Sequence, residues 1–195
     1  NDGNSVELGM QFTVASNGTI TGMRFYKGPQ NTGVHTGTLW TATGTPIGTV
    51  TFTNETATGW QSASFNSPIS VTAGASYVIS YHTSAGYYSA SSGYFNVAAS
   101  NGALTAPQSA VNNGNGLFSY GAGSVFPTGT YNATNYWVDV YYQLDANLAP
   151  IANDDAGFTT QRNAPLQIAA TALLANDTDS NGDMLSVTGV EAATH

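Results

Sequence analysis

The chain has no cysteine among its 195 residues. Disulfides, thiolate metal sites and cysteine nucleophiles are thereby excluded. Charge is scarce as well. Only 7% of residues are Asp, Glu, Lys or Arg, against roughly 25% in an ordinary globular chain. Three residues are basic, Arg24, Lys27 and Arg162. That excludes nucleic acid as a partner, because phosphate binding needs clustered Lys and Arg. No apolar run approaches the roughly 18 residues of a membrane span, so direct membrane insertion is not expected. No signal peptide is legible, and the chain reads as an interior piece of a longer protein. Catalytic signatures are missing too: there is no G-x-S-x-G, no H-E-x-x-H and no P-loop. A glycosidase needs two carboxylates flanking a bond, and the first 145 residues offer few acids and no pair at a suggestive spacing.

Thr, Ser, Asn and Gly take the place of charge, and 41% of residues are hydrophobic. A packed core is therefore available beneath a polar, weakly charged surface, a balance typical of secreted or surface-anchored extracellular β-proteins. The formal net charge of −8 is unevenly spread. Asp2, Glu7, Glu55, Asp139 and Asp145 face Arg24 and Lys27 in the first part. Asp154, Asp155, Asp177, Asp179, Asp183 and Glu191 face only Arg162 in the last 50 residues. A cation is most plausible in that acidic second part. A secreted chain without disulfides needs another staple, and Ca2+ is the obvious one.

Helical periodicity is almost absent, with one short helical turn expected around Thr171–Ala175. Elsewhere apolar residues alternate with polar ones between Gly, Asn and Pro. Val6, Leu8, Met10 and Phe12 mark a first strand, and Ile20 to Tyr26 a second, with a bulge at Gly22. Further strands are expected at Leu39-Trp40, Ile47 to Phe52, Trp60 to Phe65, Tyr77 to Thr83, Tyr87 to Phe95, Leu117 to Tyr120 and Tyr136 to Leu144. Residues 96–116 read as a long loop. The pattern predicts an all-β fold, a jelly-roll-type β-sandwich over residues 1–145. A linker follows at 146–151, then a truncated immunoglobulin-like segment over 152–195, with strands at Leu166 and Ile168 and at Leu185, Val187 and Val190. An immunoglobulin-like sandwich takes about 100 residues, so that segment reads as a domain's opening.

Val6-Glu7-Leu8-Gly9, Gly22-Met23-Arg24-Phe25-Tyr26-Lys27-Gly28, His35-Thr36-Gly37-Thr38-Leu39-Trp40, Gly59-Trp60-Gln61, Tyr81-His82 and Asn135-Tyr136-Trp137-Val138-Asp139-Val140 run in order through the first part. Over residues 5–142 they resemble a bacterial extracellular β-sandwich domain family of unknown function. That family recurs in modular proteins beside carbohydrate-active or adhesin-type repeats, a context that implies binding. Ala149-Pro150-Ile151-Ala152-Asn153-Asp154-Asp155 and Leu173-Leu174-Ala175-Asn176-Asp177-Thr178-Asp179-Ser180-Asn181-Gly182-Asp183 resemble the opening of a cadherin-like, immunoglobulin-like repeat of bacterial adhesins. The resemblance implies tandem repeats rigidified by calcium.

Asp177, Asp179, Asn181 and Asp183 place oxygen ligands at alternate positions, and Gly182 permits a sharp turn, which suits a hard cation. Position twelve of the loop is Thr188 rather than Glu, so this is no EF-hand. Asp154 and Asp155 are expected to complete the shell. Glu7 and Asp139 are the acids embedded in strands of the first domain. If the first and last strands are neighbours, they form a second calcium site. Among the many aromatics, including Tyr26, Trp40, Tyr94 and Tyr136, those near loops or on a non-core face are the better sugar-stacking candidates: Trp60, Tyr87, Tyr88 and Trp137. Lys27, His35, Glu55 and His82 are rare polar groups in this domain and are expected to meet at one rim and bind ligand hydroxyls. The sequence reading is a non-catalytic, calcium-stabilised carbohydrate-binding module with a polysaccharide or glycan as partner. Its alternatives are an adhesin module binding host or matrix protein, and a structural spacer.

Overall fold

The computed structural model describes residues 3–110 and 114–189. The chain divides into two units, Asn1–Asp145 and Ala146–His195.

The first unit is a β-sandwich, all of whose strand pairings are antiparallel. Its larger sheet contains β1 (Val6–Val14), β3 (Thr36–Thr41), β4 (Pro46–Thr51), β6 (Ser76–Thr83), β7 (Ala99–Asn101), β8 (Leu104–Ala106), β9 (Leu117–Tyr120) and β10 (Gly129–Thr130). The smaller sheet contains β2 (Gly18–Lys27), β5 (Gly59–Val71) and β11 (Val138–Leu144), in the order β11-β2-β5. β1 runs beside β6 along its length, while β9 and β8 share its other edge. The first and last strands therefore lie in different sheets.

Alternation builds the core. Val6, Leu8, Phe12 and Val14 of β1 point inward with Ile79 and Tyr81 of β6, and meet Ile20, Met23, Phe25 and Val138 from the smaller sheet. Phe25 stacks on Tyr81 at a centroid distance of 4.4 Å and meets Phe52 edge-on at 4.8 Å. Each such fully buried side chain contributes roughly 1.5–3 kcal/mol. The bulge expected at Gly22 is present as a register shift between Ile20 and Gly22. A second, smaller cluster of Trp40, Val78 and Leu117 packs with Phe126, on the opposite side of β6 from Ile79 and Tyr81.

Two local expectations are corrected. Tyr87 to Phe95 forms no strand. Ser91 bridges to Asn135, Gly93 takes φ 76°, and Tyr94–Asn96 closes into a single 3-10 turn that buries Phe95. Residues 96–116 are not all loop: β7 and β8 form a hairpin across Gly102, and β8 pairs onto Thr13 and Val14 of β1. Residues 111–113 of that stretch lie outside the described residues.

Among the described residues, the second unit holds one short helix, α1 (Ala170–Leu173), and a bridge between Ile151 and Thr178. The strands expected at Leu166–Ile168 and Leu185–Val187 do not form, and Val190 lies outside the described residues. The side chains of Leu166, Ile168 and Val187 are exposed. Among the described residues of this unit no sheet faces them, and an unpaired segment has no ladder to hold it extended.

Candidate functional site: an aromatic hollow and an ion pair on the smaller sheet

The outward face of the smaller sheet carries side chains that the core leaves over. Because Met23, Phe25 and Lys27 of β2 turn inward, Arg24 and Tyr26 turn out. Register places Tyr26 opposite Trp60 of β5, and Arg24 opposite Asp139 of β11. The rings of Tyr26 and Trp60 meet edge-to-face at 5.5 Å, Trp60 and Trp137 at 6.3 Å, and Trp137 and Tyr94 at 5.6 Å. Tyr26, Trp60 and Tyr94 are each about two-fifths exposed. Tyr26, Trp60 and Trp137 line a hollow with Ser89 and Ala90.

Trp137 reaches this position through an unusual backbone. Its φ is 54°, a left-handed conformation that costs a bulky residue roughly 1–3 kcal/mol. Three hydrogen bonds hold it there. Its N–H donates to Asn135 Oδ1 at 2.8 Å, its carbonyl accepts from the Tyr26 N–H at 2.9 Å, and its indole Nε1–H donates to Ser91 Oγ at 3.1 Å.

Beside the aromatics lies an ion pair. Arg24 contacts Asp139 Oδ2 through Nε at 3.0 Å and Nη2 at 2.9 Å. The Arg24 guanidinium also lies over the Trp60 ring, 4.2 Å from its centroid, a cation–π contact. Both charged residues line a cleft with Tyr94, Ser100, Asn101 and Asn135.

Of the residues singled out from sequence, Trp60 and Trp137 belong to this site. Tyr88 turns to the core and packs edge-on against Tyr136 at 5.6 Å, and Tyr87 is half-buried outside the hollow. Lys27, His35 and Glu55 do converge, but inward. Lys27 Nζ donates to Glu55 Oε2 at 2.7 Å, and His35 Nδ1 lies 2.9 Å from both Glu55 oxygens. His35 is fully buried against Phe25. Burial pushes its pKa down, against the upward pull of Glu55. His35 Nδ1–H donates to the Glu55 carboxylate. Asn31 Oδ1 faces His35 Nε2 at 2.9 Å and accepts from Thr83 Oγ1–H at 2.5 Å. Lys27, His35 and Glu55 satisfy one another and form a buried strut, not a ligand rim.

His82 sits on the opposite side of β6, with Glu7. Trp40 Nε1–H donates to Ser80 Oγ at 2.8 Å, and Ser80 Oγ–H donates to Glu7 Oε1 at 2.5 Å. His82 Nδ1 lies 3.4 Å from Glu7 Oε2, and its Nε2 is 2.9 Å from Ser5 Oγ. The expected pairing of Glu7 with Asp139 around calcium is therefore corrected. Glu7 is buried in the larger sheet and bound by Ser80, while Asp139 is half-exposed in the smaller sheet and bound by Arg24. Among the described residues, no group of three His, Cys, Asp or Glu side chains is placed to hold a metal ion.

Residues 1–138 match the family described as a domain of unknown function, DUF4082. The chain belongs to that family. Residues 146–195 match a cadherin-like domain. No curated protein and no solved structure matches the chain.

In the cadherin-like unit, Asp177, Asp179 and Asp183 line one hollow. Their all-oxygen chemistry fits a hard cation in kind. As they stand, Asp177 Oδ1 accepts the Asn153 N–H at 2.8 Å, and Asp179 Oδ1 accepts the N–H groups of Asn181 and Asp183 at 2.8 and 3.0 Å. Asn181 ties Ala146 and Leu148 to the same loop. Asp154 and Asp155 are exposed and lie off that hollow.

In the DUF4082 domain, the residue that sequence reasoning missed is Arg24, together with the grouping of Tyr26 and Tyr94 around Trp137. The alternation that turns Met23 and Phe25 inward also places Arg24 and Tyr26 together on the outer face, so half of the site was legible from β2 alone.

Proposed function

We propose that the DUF4082 domain is a non-catalytic carbohydrate-binding module of a secreted or surface-anchored protein, joined to a cadherin-like unit that takes calcium. The observation that carries this reading is the solvent-open hollow of Tyr26, Trp60 and Trp137. Sugar rings present C–H faces that gain by contact with aromatic rings, and their hydroxyls pair with nearby polar groups. Strain held at Trp137 by three hydrogen bonds supports it, since backbone strain of this kind clusters at ligand clamps. The edge-to-face ring arrangement leaves no coplanar strip, so the hollow suits one or two sugar residues better than a flat crystalline surface.

Glycan-array screening of the whole chain, displayed at high density, tests the reading. Retention of at least one glycan is expected, with a loss of at least tenfold in Trp60→Ala and Trp137→Ala. Retention unchanged in both variants removes the hollow as the binding site. No retained glycan, together with capture of a matrix protein through the same face, supports the adhesin alternative that the cadherin-like match favours. For calcium, the test is thermal unfolding with EDTA and then millimolar Ca2+. A ligand specific for the folded state stabilises it by mass action. An upward shift is expected in the whole chain and not in residues 1–145 alone. No shift in either disposes of the calcium assignment.

A further inference from the structure

The ion pair beside the hollow is only partly self-satisfied. Both Arg24 contacts go to Oδ2 of Asp139. Among the described residues no side chain or backbone group donates to Oδ1. A guanidinium carries five N–H donors, and two are used here, so Nη1 keeps both of its own. Packing on Trp60 fixes the plane of the guanidinium. An open acceptor and open donors thus belong to one ion pair, with both side chains more than a third exposed.

Two adjacent sugar hydroxyls match that pair. One hydroxyl gives its hydrogen to Oδ1, and the neighbouring oxygen accepts from Nη1. Hydrogen bonds to charged groups are the stronger kind, and a hydroxyl serves as donor and acceptor at once. The cleft around the pair is about 270 Å³, just below the roughly 300–1,000 Å³ usual for sites of drug-sized molecules, which suits a single ring. Charge selects further. Arg24 is neutralised by Asp139, and the only other cation of the first 145 residues, Lys27, is buried on Glu55. Neither cation of this domain is left unpaired to draw an anionic sugar, and the domain's net negative charge repels one.

We propose that Arg24 and Asp139 grip the vicinal diol of a neutral sugar, with Tyr94, Asn101 and Asn135 walling the gripped ring. The proposal rests on the carbohydrate-binding reading above and names its ligand class. It also gives Asp139 the role of a sugar ligand in place of the calcium ligand expected from sequence.

The experiment uses the whole chain and three methyl glycosides, of glucose, mannose and galactose, each with its full set of monodeoxy analogues, alongside glucuronic and galacturonic acids. Binding is read by titration calorimetry, or by competition against an array glycan where it is weak. At least one neutral glycoside is expected to bind, and removal of either of two adjacent hydroxyls is expected to weaken it tenfold or more. Asp139→Asn is expected to weaken the parent sugar similarly and to abolish the penalty for losing one of those hydroxyls. Arg24→Gln is expected to abolish the penalty for losing the other. The exposed position of both side chains leaves the fold intact, checked by unchanged melting. Three outcomes overturn the grip while leaving the parent reading standing: sugar binding that needs Trp60 but ignores both variants, hydroxyl losses that are tolerated singly everywhere, or uronic acids that bind better than neutral sugars. A wild-type chain that binds no sugar on the array or in solution overturns both.

Discussion

Replacing Glu55 by Gln separates a structural strut from a ligand site. Glu55 and Lys27 keep about a tenth of their side-chain surface exposed and meet at 2.7 Å, while His35 closes the other side of the carboxylate. Gln has nearly the same shape, so the substitution opens no cavity. What it removes is the charge facing the Lys27 ammonium and one of the two acceptor oxygens that face His35 Nδ1–H. Deleting one partner of a buried pair costs about 3–5 kcal/mol, and the remaining exposure puts this case near the lower end. At about 2–4 °C per kcal/mol for chains of this size, melting should fall by about 10 °C. Lys27→Met should cost less, because Glu55 keeps His35. The double variant should recover part of the loss, a coupling that a thermal and urea double-mutant cycle reads directly. Sugar retention measured well below the melting temperature should be unchanged in all three. The reasoning is refuted if Glu55→Gln melts like the wild type yet no longer holds the glycan. The three residues would then be facing ligand.

Other consequences are equally open to measurement. Burial lowers the His35 pKa, so the unfolded state takes up its proton first and stability falls as pH drops below about 6.5. The melting advantage of the wild type over His35→Gln should therefore shrink between pH 7.5 and 5.5, and a widening gap contradicts the assignment. Tyr81 is fully buried, and its hydroxyl has no hydrogen-bond partner; burial also drives its ionisation far upward. Removing an unsatisfied buried hydroxyl relieves about 1–3 kcal/mol, so Tyr81→Phe should raise the urea midpoint, and a clear fall shows that the hydroxyl is bonded. Ser5, His82 and Glu7 stand in the order of an acyl-transfer relay. A pure binding module leaves Ser5 unlabelled by a fluorophosphonate, whereas labelling that vanishes in His82→Ala would make the domain an enzyme.

The strands were legible wherever alternation was clean, as in Val6–Phe12 and Tyr77–Thr83. They were illegible where short elements borrow their partners from far along the chain. The β7–β8 hairpin exists because Thr105 and Leu104 pair with Thr13 and Val14, and nothing in an Asn- and Gly-rich stretch announces that. The site shows the same division. Arg24 and Tyr26 are neighbours by simple period two, yet Asp139 lies more than a hundred positions from Arg24 and Trp137 needs a left-handed backbone that no residue-type rule assigns to Trp. Rarity grouped Lys27, His35, Glu55 and His82; the first three meet, and His82 lies apart with Glu7 and Ser5. Depth, which composition does not encode, turned Lys27, His35 and Glu55 from rim to interior.

The edges of the sandwich bear on how such a chain stays in solution. β4 and β5 each end a sheet, and an open strand edge is a template for pairing with further chains. Proteins usually guard such edges with Lys or Glu, which β4 and β5 both lack. Here β4 begins at Pro46, and Pro68 falls in the part of β5 between Ser64 and Ile69 that has no register partner on β2. Proline offers no N–H to an incoming strand. A surface almost without charge has thus moved the protection against fibrillar association from electrostatics to backbone chemistry, which keeps working at any salt concentration.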